Sequence, residues 1–327
     1  MHHDLSPRTP PGWEADEGRL LRFADPSGAA IAWFAPEFGG NCIGYAVRRA
    51  GGWAQIIHVA GPQVLRESPT RFGIPILFPF PGHVRGSRYT WAGAERRLPP
   101  NNPDGRGYVH GFAQFHPWRV ERDGPDGLFA EFSTLTDLPD RAAVGYPFAV
   151  RLRLAFRLAQ GALTVRLAAT NEGDEAAPVG LGLHPYFALD VLGGDRTVVR
   201  AALPGRSEHL LDGPIPTGER RTIDDSPVAL PPLGQSLLRA RTDLGDRATA
   251  ALTGPPGTAR ITLTLAEGCR HLVLFAPPQQ PSISLEPHGI APGAASQPPG
   301  HRDGLVGLAP QATIQLVATI AVDGGRD

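Results

Sequence analysis

The residues of this sequence that could do acid–base chemistry are two histidines and a glutamate, each in an apolar stretch interrupted by glycine or proline. His110 precedes Gly111, His184 precedes a proline and an aromatic pair, and Glu286 ends an alternating stretch before another proline. Gly111 lets a ligand or the backbone approach the His110 imidazole closely. A carboxylate and an imidazole have ordinary pKa values of about 4.3 and about 6.5, so near neutral pH the first is deprotonated and the second is partly protonated. These residues favour proton transfer between a carboxylate base and an imidazole acid.

A basic cluster lies earlier in the chain. The segment 71–89 begins with Arg71, continues through a proline-rich apolar stretch, and ends in a turn that carries His83, Arg85 and Arg88. Its prolines exclude a central strand there, because proline has no N–H to donate to a neighbouring strand. The segment is either a solvated edge that covers the core or part of a binding cleft.

The acid–base candidates also have structural interpretations. A buried histidine can simply be bonded to a backbone carbonyl, and Glu286 can be a charge at the rim of a sheet. His110, His184 and Glu286 are acceptable zinc ligands, but they lack the spacing of the HExxH motif. No Gly-x-Ser-x-Gly nucleophile motif occurs. We therefore expect neither a metal nor a cofactor.

The composition excludes several classes of function. The 327 residues include 31 basic and 32 acidic ones, so no net field attracts nucleic acid or an anionic membrane. All the basic residues are arginine, which excludes Schiff-base catalysis by lysine and a P-loop. Cys42 and Cys269 form no CxxC motif and no disulfide framework, so we expect reduced thiols in a cytoplasmic protein. No apolar run approaches the ~18 residues of a membrane span.

The elements that must position these residues are predicted to be short antiparallel strands. Glycine and proline number 40 and 35, too many for long helices, where they cost ~1 and ~3 kcal/mol relative to alanine. Apolar residues alternate in 151–158 and again in 163–169, which predicts a hairpin. Further strands are predicted at 128–135, 197–203, 260–266, 271–276, 282–286 and 312–322. The pattern indicates an all-β fold, a large antiparallel β-sandwich with few short helices.

The domain organisation follows from where this pattern begins. Residues 1–18 are predicted to be a loose N-terminal segment, and residues 19–327 to form a single β-sandwich domain. Irregular loops are expected at 99–107, 193–194, 204–232 and 291–304, because these stretches are rich in Pro, Gly, Asp or Ser.

Four blocks of the chain, taken in order, resemble the aldose 1-epimerase (galactose mutarotase) family. They are Gly73–Phe80 with Gly86–Tyr89, His110-Gly111 with Trp118, His184–Phe187, and Leu285–Pro287. The resemblance covers most of the chain. It implies a galactose mutarotase-like supersandwich that binds a sugar in a cleft on one concave sheet.

The resemblance also implies roles for individual residues. Glu286 would be the base that takes the proton of the anomeric hydroxyl, and His184 the acid that protonates the ring oxygen. The opened sugar would rotate about its C1–C2 bond and close as the other anomer, without a cofactor. His110 would bind the sugar near the ring oxygen. The family's substrate-contacting aspartate would be Asp246, with Asp243 as the nearby alternative.

The chain departs from the family pattern in its basic segment. His83 stands where the family usually has a sugar-binding arginine, and we expect Arg85 to reach the same hydroxyls. The hexose-6-phosphate mutarotases, a related branch, resemble the segments that begin at Arg71 and His110. Gln114 stands where that branch tends to have arginine, which weakens a phosphosugar function, although Arg71, Arg85 and Arg88 remain.

Three functions are therefore compared. The first is an aldose 1-epimerase for a free or phosphorylated hexose, and the second is a carbohydrate-binding protein that has lost catalysis. The third is a glycoside hydrolase or lyase, which usually needs two carboxylates about 5–9.5 Å apart. In each case we expect a small sugar as the ligand, no nucleic-acid or membrane partner, and a monomer or homodimer.

Overall fold

The computed structural model describes residues 7, 9–102, 107–121, 125–138, 140–298 and 302–323. Its strands, in chain order, are β1 (Leu21–Ala24), β2 (Ala30–Ala35), β3 (Asn41–Arg49), β4 (Gly52–Gln55), β5 (Ile76–Leu77), β6 (His83–Val84), β7 (Arg88–Trp91), β8 (Ala94–Arg97), β9 (Tyr108–Val109), β10 (Arg119–Glu121), β11 (Gly127–Ser133), β12 (Val150–Ala159), β13 (Ala162–Asn171), β14 (Ala177–Val179), β15 (Gly182–Leu183), β16 (Tyr186–Ala188), β17 (Arg200–Ala202), β18 (Ser207–Asp212), β19 (Ile215–Thr222), β20 (Val228–Ala229), β21 (Leu237–Thr242), β22 (Ala248–Thr253), β23 (Arg260–Leu265), β24 (His271–Ala276), β25 (Ser282–His288), β26 (Val306–Leu308) and β27 (Thr313–Asp323).

The helices are short. In the described residues, the α-helix α1 spans Pro62–Glu67, and short 3₁₀ segments span Glu14–Arg19, Arg85–Ser87, Ala113–Phe115, Asp190–Leu192, Arg196–Val198 and Ala294–Ser296. In the described ranges no helix is both long enough and apolar enough to cross a bilayer. The fold is therefore built from strands, as the glycine and proline content predicts.

Two large antiparallel sheets form the sandwich. The first has nine strands in the order β10-β11-β12-β13-β27-β23-β22-β17-β20, and the second runs β19-β18-β21-β24-β25-β15-β5, with β16 also paired to β25. Strands β1 to β4 form a further sheet. The main hydrophobic cluster takes Leu154 and Phe156 from the first sheet and Leu274 and Leu285 from the second. The predicted antiparallel β-sandwich is confirmed.

The predicted strands are confirmed where one face is buried. In β12 the residues Leu152, Leu154, Phe156 and Leu158 are buried, and the intervening arginines are not. The chain turns at Gln160 into β13, which pairs with β12 along its whole length. Alternation of this kind arises because successive side chains of a strand point to opposite faces.

Two expectations are corrected, one of a loop and one of a strand. The stretch 204–232 contains β18, β19 and β20. Its outermost strand, β19, is a sheet edge whose residues 217–222 are exposed, so no apolar alternation marks it. The predicted strand 197–203 is shorter than expected, because Asp195 accepts a hydrogen bond from the Thr197 N–H and starts a 3₁₀ turn there.

Part of the N-terminal segment is packed rather than loose. Trp13 is completely buried, donates from its indole N–H to the Ala60 carbonyl at 2.8 Å, and contacts Phe38 edge-on. Residues 1–6 and 8 lie outside the described residues. The prediction that residues 1–18 form a loose segment is therefore wrong for the part around Trp13. The single domain over 19–327 stays a prediction.

Candidate functional site

A cavity of about 430 Å³ opens on the second sheet, on the face opposite the core. Strand β25 divides its side chains between the two sides: Ile283 and Leu285 join the core, whereas Glu286 and His288 line the cavity. Strands β21 and β24 add an apolar wall. The polar lining comprises Thr70, Arg71, His83, Asn102, His110, His184, Tyr186, Gln279, Gln280, Glu286 and His288.

Glu286 lies at the base of this cavity and is 98% buried, with 2% relative exposure. Its Oε1 is 3.3 Å from His184 Nε2, and its Oε2 is 3.2 Å from His288 Nε2. Burial raises the pKa of Glu286 to about 7, because the charged form loses its water, while His184 acts in the opposite direction. A carboxyl group with this pKa can gain and lose a proton near neutral pH.

His184 is placed beside Glu286 by strand pairing. Gly182 of β15 pairs with His288, and Tyr186 of β16 pairs with Ser284, so the residue halfway between them stands level with Glu286. The step from His184 to Pro185 interrupts the two strands at that level. The resulting position is fully buried.

Hydrogen bonds fix the tautomer of His184. The Ser284 hydroxyl donates to the Pro185 carbonyl at 2.9 Å, so its oxygen must accept from His184 Nδ1, 2.8 Å away. We therefore assign the Nδ1 proton to His184, which leaves Nε2 to face the Tyr186 hydroxyl at 3.1 Å and the Glu286 carboxyl group. Burial lowers the pKa of His184 to about 4, and the Glu286 charge partly opposes that shift.

His110 approaches the same point from another part of the fold. It follows β9, has a left-handed backbone (φ 61°), and its ring centroid lies 5.0 Å from that of His184. The Gly82 N–H donates to His110 Nδ1 at 3.1 Å, and burial lowers the His110 pKa well below its ordinary value. The neutral ring therefore carries its proton on Nε2 as a donor.

Gly111 is what permits this approach. Its φ is +81°, and a Cβ placed on it would lie 1.7 Å from the Phe78 carbonyl oxygen. Only glycine fits such a position. The sequence interpretation of Gly111 as a site of close approach agrees with this geometry, although the approaching group is the protein backbone.

The other predicted site residues divide into two groups. His83 and Arg71 line the cavity. Arg85 does not: it is half exposed and pairs with Asp212 at 3.1 Å, outside the cavity. Its expected role of replacing the family arginine is therefore not supported by its position.

The two candidate aspartates also lie outside the cavity. Strand β21 ends at Thr242 after placing Leu238 and Ala240 in the cavity wall. Asp243 follows with φ +60°, is exposed, and contacts Ser207 and Arg220, and Asp246 is exposed in the next loop. We correct the expectation that either residue lines the site, because the chain turns outward before reaching them.

Sequence reasoning missed His288, Ser284 and Tyr186 as site residues. The alternation that separates Glu286 from Leu285 also places His288 on the cavity face, two residues further on. The prediction ended this strand at Glu286 because Pro287 follows. In the structure Pro287 pairs in register with Leu272, so the strand continues through it.

His110, His184 and Glu286 could hold a metal ion by distance alone, since each offers one ligand atom and these atoms lie within 4.8 Å of one another. His184 Nδ1 is already bonded to Ser284, and Nε2 faces the Tyr186 hydroxyl. An ion at Nε2 would have to displace that hydroxyl. The hydrogen bonds therefore favour proton transfer at this position.

The cavity occurs in a fold shared with known proteins. The chain is similar to YihR, an uncharacterized protein of Escherichia coli, at 29% identity over 157 residues, 47% of this chain and 48% of YihR. The match thus spans about half the length of that relative. A galactose mutarotase-like protein from Clostridium acetobutylicum has a similar structure, with a TM-score of 0.79 at 17% identity, covering 93% of this chain and 95% of that one.

A galactose 1-epimerase from Lactobacillus acidophilus also shares the fold, with a TM-score of 0.72 at 15% identity over 94% of this chain and 95% of that one. At these identities the likeness concerns the fold. A family model described as aldose 1-epimerase matches residues 31–316 and so includes every residue of the cavity. The chain belongs to the aldose 1-epimerase family.

Proposed function

We propose that this protein is an aldose 1-epimerase that interconverts the α and β anomers of a hexose, with Glu286 and His184 as the acid–base pair. The observation that carries the proposal is their geometry. Glu286 Oε1 and His184 Nε2 are 3.3 Å apart, both groups are buried, and both face the cavity. A sugar whose anomeric hydroxyl and ring oxygen contact these two atoms from the cavity would meet one proton acceptor and one proton donor.

The reaction needs only these two groups to exchange protons with the sugar. The Glu286 carboxylate takes the proton of the anomeric hydroxyl, and the electrons of that O–H bond form the C1 carbonyl. The C1–O5 bond breaks, and O5 takes the proton of His184 Nε2. Rotation about C1–C2 and reclosure with the roles reversed give the other anomer. Each proton transfer contributes ~10²–10⁴ in rate.

The pair must hold one proton in total for this cycle. With Glu286 at a pKa of about 7 and His184 at about 4, the one-proton state dominates between those values. In the free protein this proton lies on Glu286, the group with the higher pKa. It must cross the 3.3 Å to His184 Nε2 when the sugar binds, which leaves the carboxylate and the Nε2–H that the first step uses. Ser284 keeps His184 Nδ1 protonated, so that only Nε2 takes part.

Neighbouring groups support the pair without exchanging protons in the cycle. His288 holds Oε2 of Glu286, so that Oε1 stays directed at His184. His110 directs its Nε2–H into the cavity, where it can donate to the ring oxygen or a hydroxyl of the sugar. His83 and Arg71 line the cavity as further contacts for hydroxyl groups.

The lining favours this function over the hydrolase and the phosphosugar enzyme. Among the described residues that line the cavity, Glu286 is the only carboxylate, whereas hydrolases usually use two. Arg71 is likewise the only arginine of that lining. Arg88 pairs with Glu95 at 3.5 Å and is half exposed. Paired guanidinium groups for a phosphate are therefore not assembled in the described part of the cavity.

The test is anomer exchange measured by magnetisation-transfer NMR on glucose, galactose and glucose 6-phosphate, at about pH 6, where the pair holds one proton. The wild-type protein should accelerate exchange for at least one sugar. Glu286→Gln and His184→Asn should each reduce that acceleration by ~10²-fold or more. Glu121→Gln, an exposed carboxylate on β10 far from the cavity, serves as the matched control.

Full acceleration in Glu286→Gln would overturn the proposal. Sugar binding without acceleration in the wild type would support the non-catalytic carbohydrate-binding protein instead. Preference for glucose 6-phosphate over both free sugars would assign the enzyme to phosphosugars and would make Arg71 the residue to substitute next.

A further inference from the structure

A second cluster of metal-ligating side chains lies beside the first cavity. His209 comes from β18, His271 from β24, and Asp303 from the loop before β26. His209 Nε2 is 3.7 Å from Asp303 Oδ2, and His271 Nε2 is 3.7 Å from Asp303 Oδ1. One ligand atom from each residue lies within 4.8 Å of the other two.

The two imidazoles of this cluster are buried and lack hydrogen bonds. His209 is 5% exposed and His271 is 1% exposed. Within the described part of the chain, no ring nitrogen of either histidine has a hydrogen-bond partner. A buried polar group without a partner destabilises the fold, because it loses its hydrogen bonds to water and gains none in return. A bound ion would satisfy one nitrogen of each ring, because a neutral imidazole presents one lone pair to a metal.

The spacing of the cluster suits a metal ion of ordinary size. Ligand atoms held about 2.0–2.2 Å from a tetrahedral ion are about 3.4 Å apart. Each imidazole Nε2 lies 3.7 Å from a different oxygen of Asp303, and one ligand atom from each residue lies within 4.8 Å of the other two, so metal binding would draw the three side chains inward. Two imidazoles with one carboxylate favour a transition metal over Mg²⁺ or Ca²⁺, which prefer oxygen ligands throughout.

The cluster also has an entrance. A cavity of about 480 Å³ is lined by His209, Asp303, Arg220 and Gln297, among others, and Asp303 keeps 31% of its side chain exposed. An ion could therefore enter from solvent and keep water at its remaining coordination positions. Arg220 contacts Asp303 Oδ2, and its charge opposes a cation at the same carboxylate.

We propose that His209, His271 and Asp303 bind a divalent transition-metal ion such as Zn²⁺, with at least one position open to water. The site is separate from the acid–base pair, although His271 pairs in register with His288 across β24 and β25. The proposal does not depend on the proposed epimerase activity.

The test is calorimetric titration of Zn²⁺ into the full-length protein after removal of metals with EDTA. We expect one ion per chain at this cluster, with affinity at least 10-fold weaker in Asp303→Asn and His209→Ala. Glu286→Gln should bind Zn²⁺ as the wild type does, because it belongs to the other cluster. Melting temperatures without metal show whether each variant is folded.

A variant of Arg220 tests whether its guanidinium group competes with the metal ion for Asp303. Arg220→Gln removes the competing cation, so Zn²⁺ should bind more tightly than to the wild type. Binding equal to or weaker than that of the wild type would contradict the proposal, because Arg220 and the ion would then not compete for Asp303. Crystals soaked in Zn²⁺ should show anomalous scattering between the two imidazoles and Asp303.

Three further results would overturn the proposal. The first is no binding to the wild type at ~100 µM Zn²⁺, a concentration at which a site with a Kd of ~1 µM is almost fully occupied. The second is unchanged binding in both Asp303→Asn and His209→Ala. The third is loss of binding in Glu286→Gln with anomalous density at His184, which would place the ion in the first cavity.

Discussion

Two imidazole–carboxylate clusters lie on the same sheet, and they differ in how their polar atoms are satisfied. In the first, His184 is bonded through Nδ1 and Nε2, and Glu286 is contacted at both oxygens. In the second, His209 and His271 have no hydrogen-bond partners within the described ranges. Hydrogen bonds to every ring nitrogen and carboxylate oxygen fix the tautomer of an imidazole and its orientation for proton transfer. A ring nitrogen whose lone pair has no partner can instead bind an added ligand.

The largest expected effect concerns the buried charge of Glu286. Its folded pKa of about 7 lies above the ordinary value of 4.5. The neutral form therefore stabilises the fold fully below pH 4.5, and that stability is lost as pH rises through 7. Glu286→Gln stays neutral at every pH, so relative to wild type its free energy of unfolding should increase by ~3 kcal/mol at pH 8 and hardly change at pH 4.5.

Urea denaturation of both proteins from pH 4.5 to 8 measures this difference. The two stability curves should diverge between these limits. Parallel curves would show that Glu286 is not held in a desolvated, proton-exchanging state. Glu121→Gln is again the control, and its curve should follow that of the wild type, because Glu121 is exposed.

A smaller effect is expected at Ser284, which fixes the tautomer of the proposed acid. Ser284→Ala frees His184 Nδ1 and leaves the Pro185 carbonyl without its donor. We expect kcat for anomer exchange to fall by ~10–100-fold with little change in KM, by analogy with groups that orient a functional histidine.

Ser282 offers a matched control on the same strand and the same face. It is fully buried, and its hydroxyl has no hydrogen-bond partner among the described residues. Ser282→Ala should leave kcat unchanged. Equal losses in the two variants would indicate that β25 responds to any change in packing, and the tautomer argument would then fail.

The smallest expected effect is a change in stability on replacing a histidine with leucine, and its sign differs between the two clusters. In the absence of metal, His271→Leu replaces an unsatisfied imidazole with an apolar side chain, so stability should rise by ~1 kcal/mol. His184→Leu removes a fully bonded imidazole and leaves its partners unsatisfied, so stability should fall by ~1–3 kcal/mol. Urea denaturation in EDTA measures both. A loss of stability in His271→Leu would contradict the description of the second cluster as unsatisfied.

The alternation of residue types in the sequence predicts those strands that have one buried face and one solvent-exposed face. Strands β12 and β13 follow from alternation because their inward residues are buried and mostly large and apolar, whereas their outward residues are arginine, threonine or alanine and partly or fully exposed. Strand β19 escaped prediction because an edge strand with exposed residues has no burial pattern. The same reasoning applied to Ser282–Glu286 gave the cavity face of β25 correctly, although the strand runs further than predicted.

The candidate site was predictable in its centre and not at its rim. His184 and Glu286 are recognisable because proline, glycine and aromatic residues surround them in sequence. The turns of the chain determine the directions of Arg85, Asp243 and Asp246. A difference of one or two residues in the length of a turn decides whether a side chain enters the cavity. The second cluster joins residues far apart in sequence, and their proximity appears only when β18 and β24 are placed in one sheet.

Strand β19 forms a charged edge of the second sheet, and this edge affects whether two copies of the chain can associate through their sheets. Among the described residues, strand β19 is an outermost strand of its sheet, and such an edge is a surface on which another strand could add. Pro216 lacks an N–H, Gly218 weakens an extended conformation, and Glu219, Arg220 and Arg221 follow as exposed charges. A second copy aligned on this edge would lose hydrogen bonds and bring guanidinium groups together. The strand is thereby protected against sheet-to-sheet polymerisation.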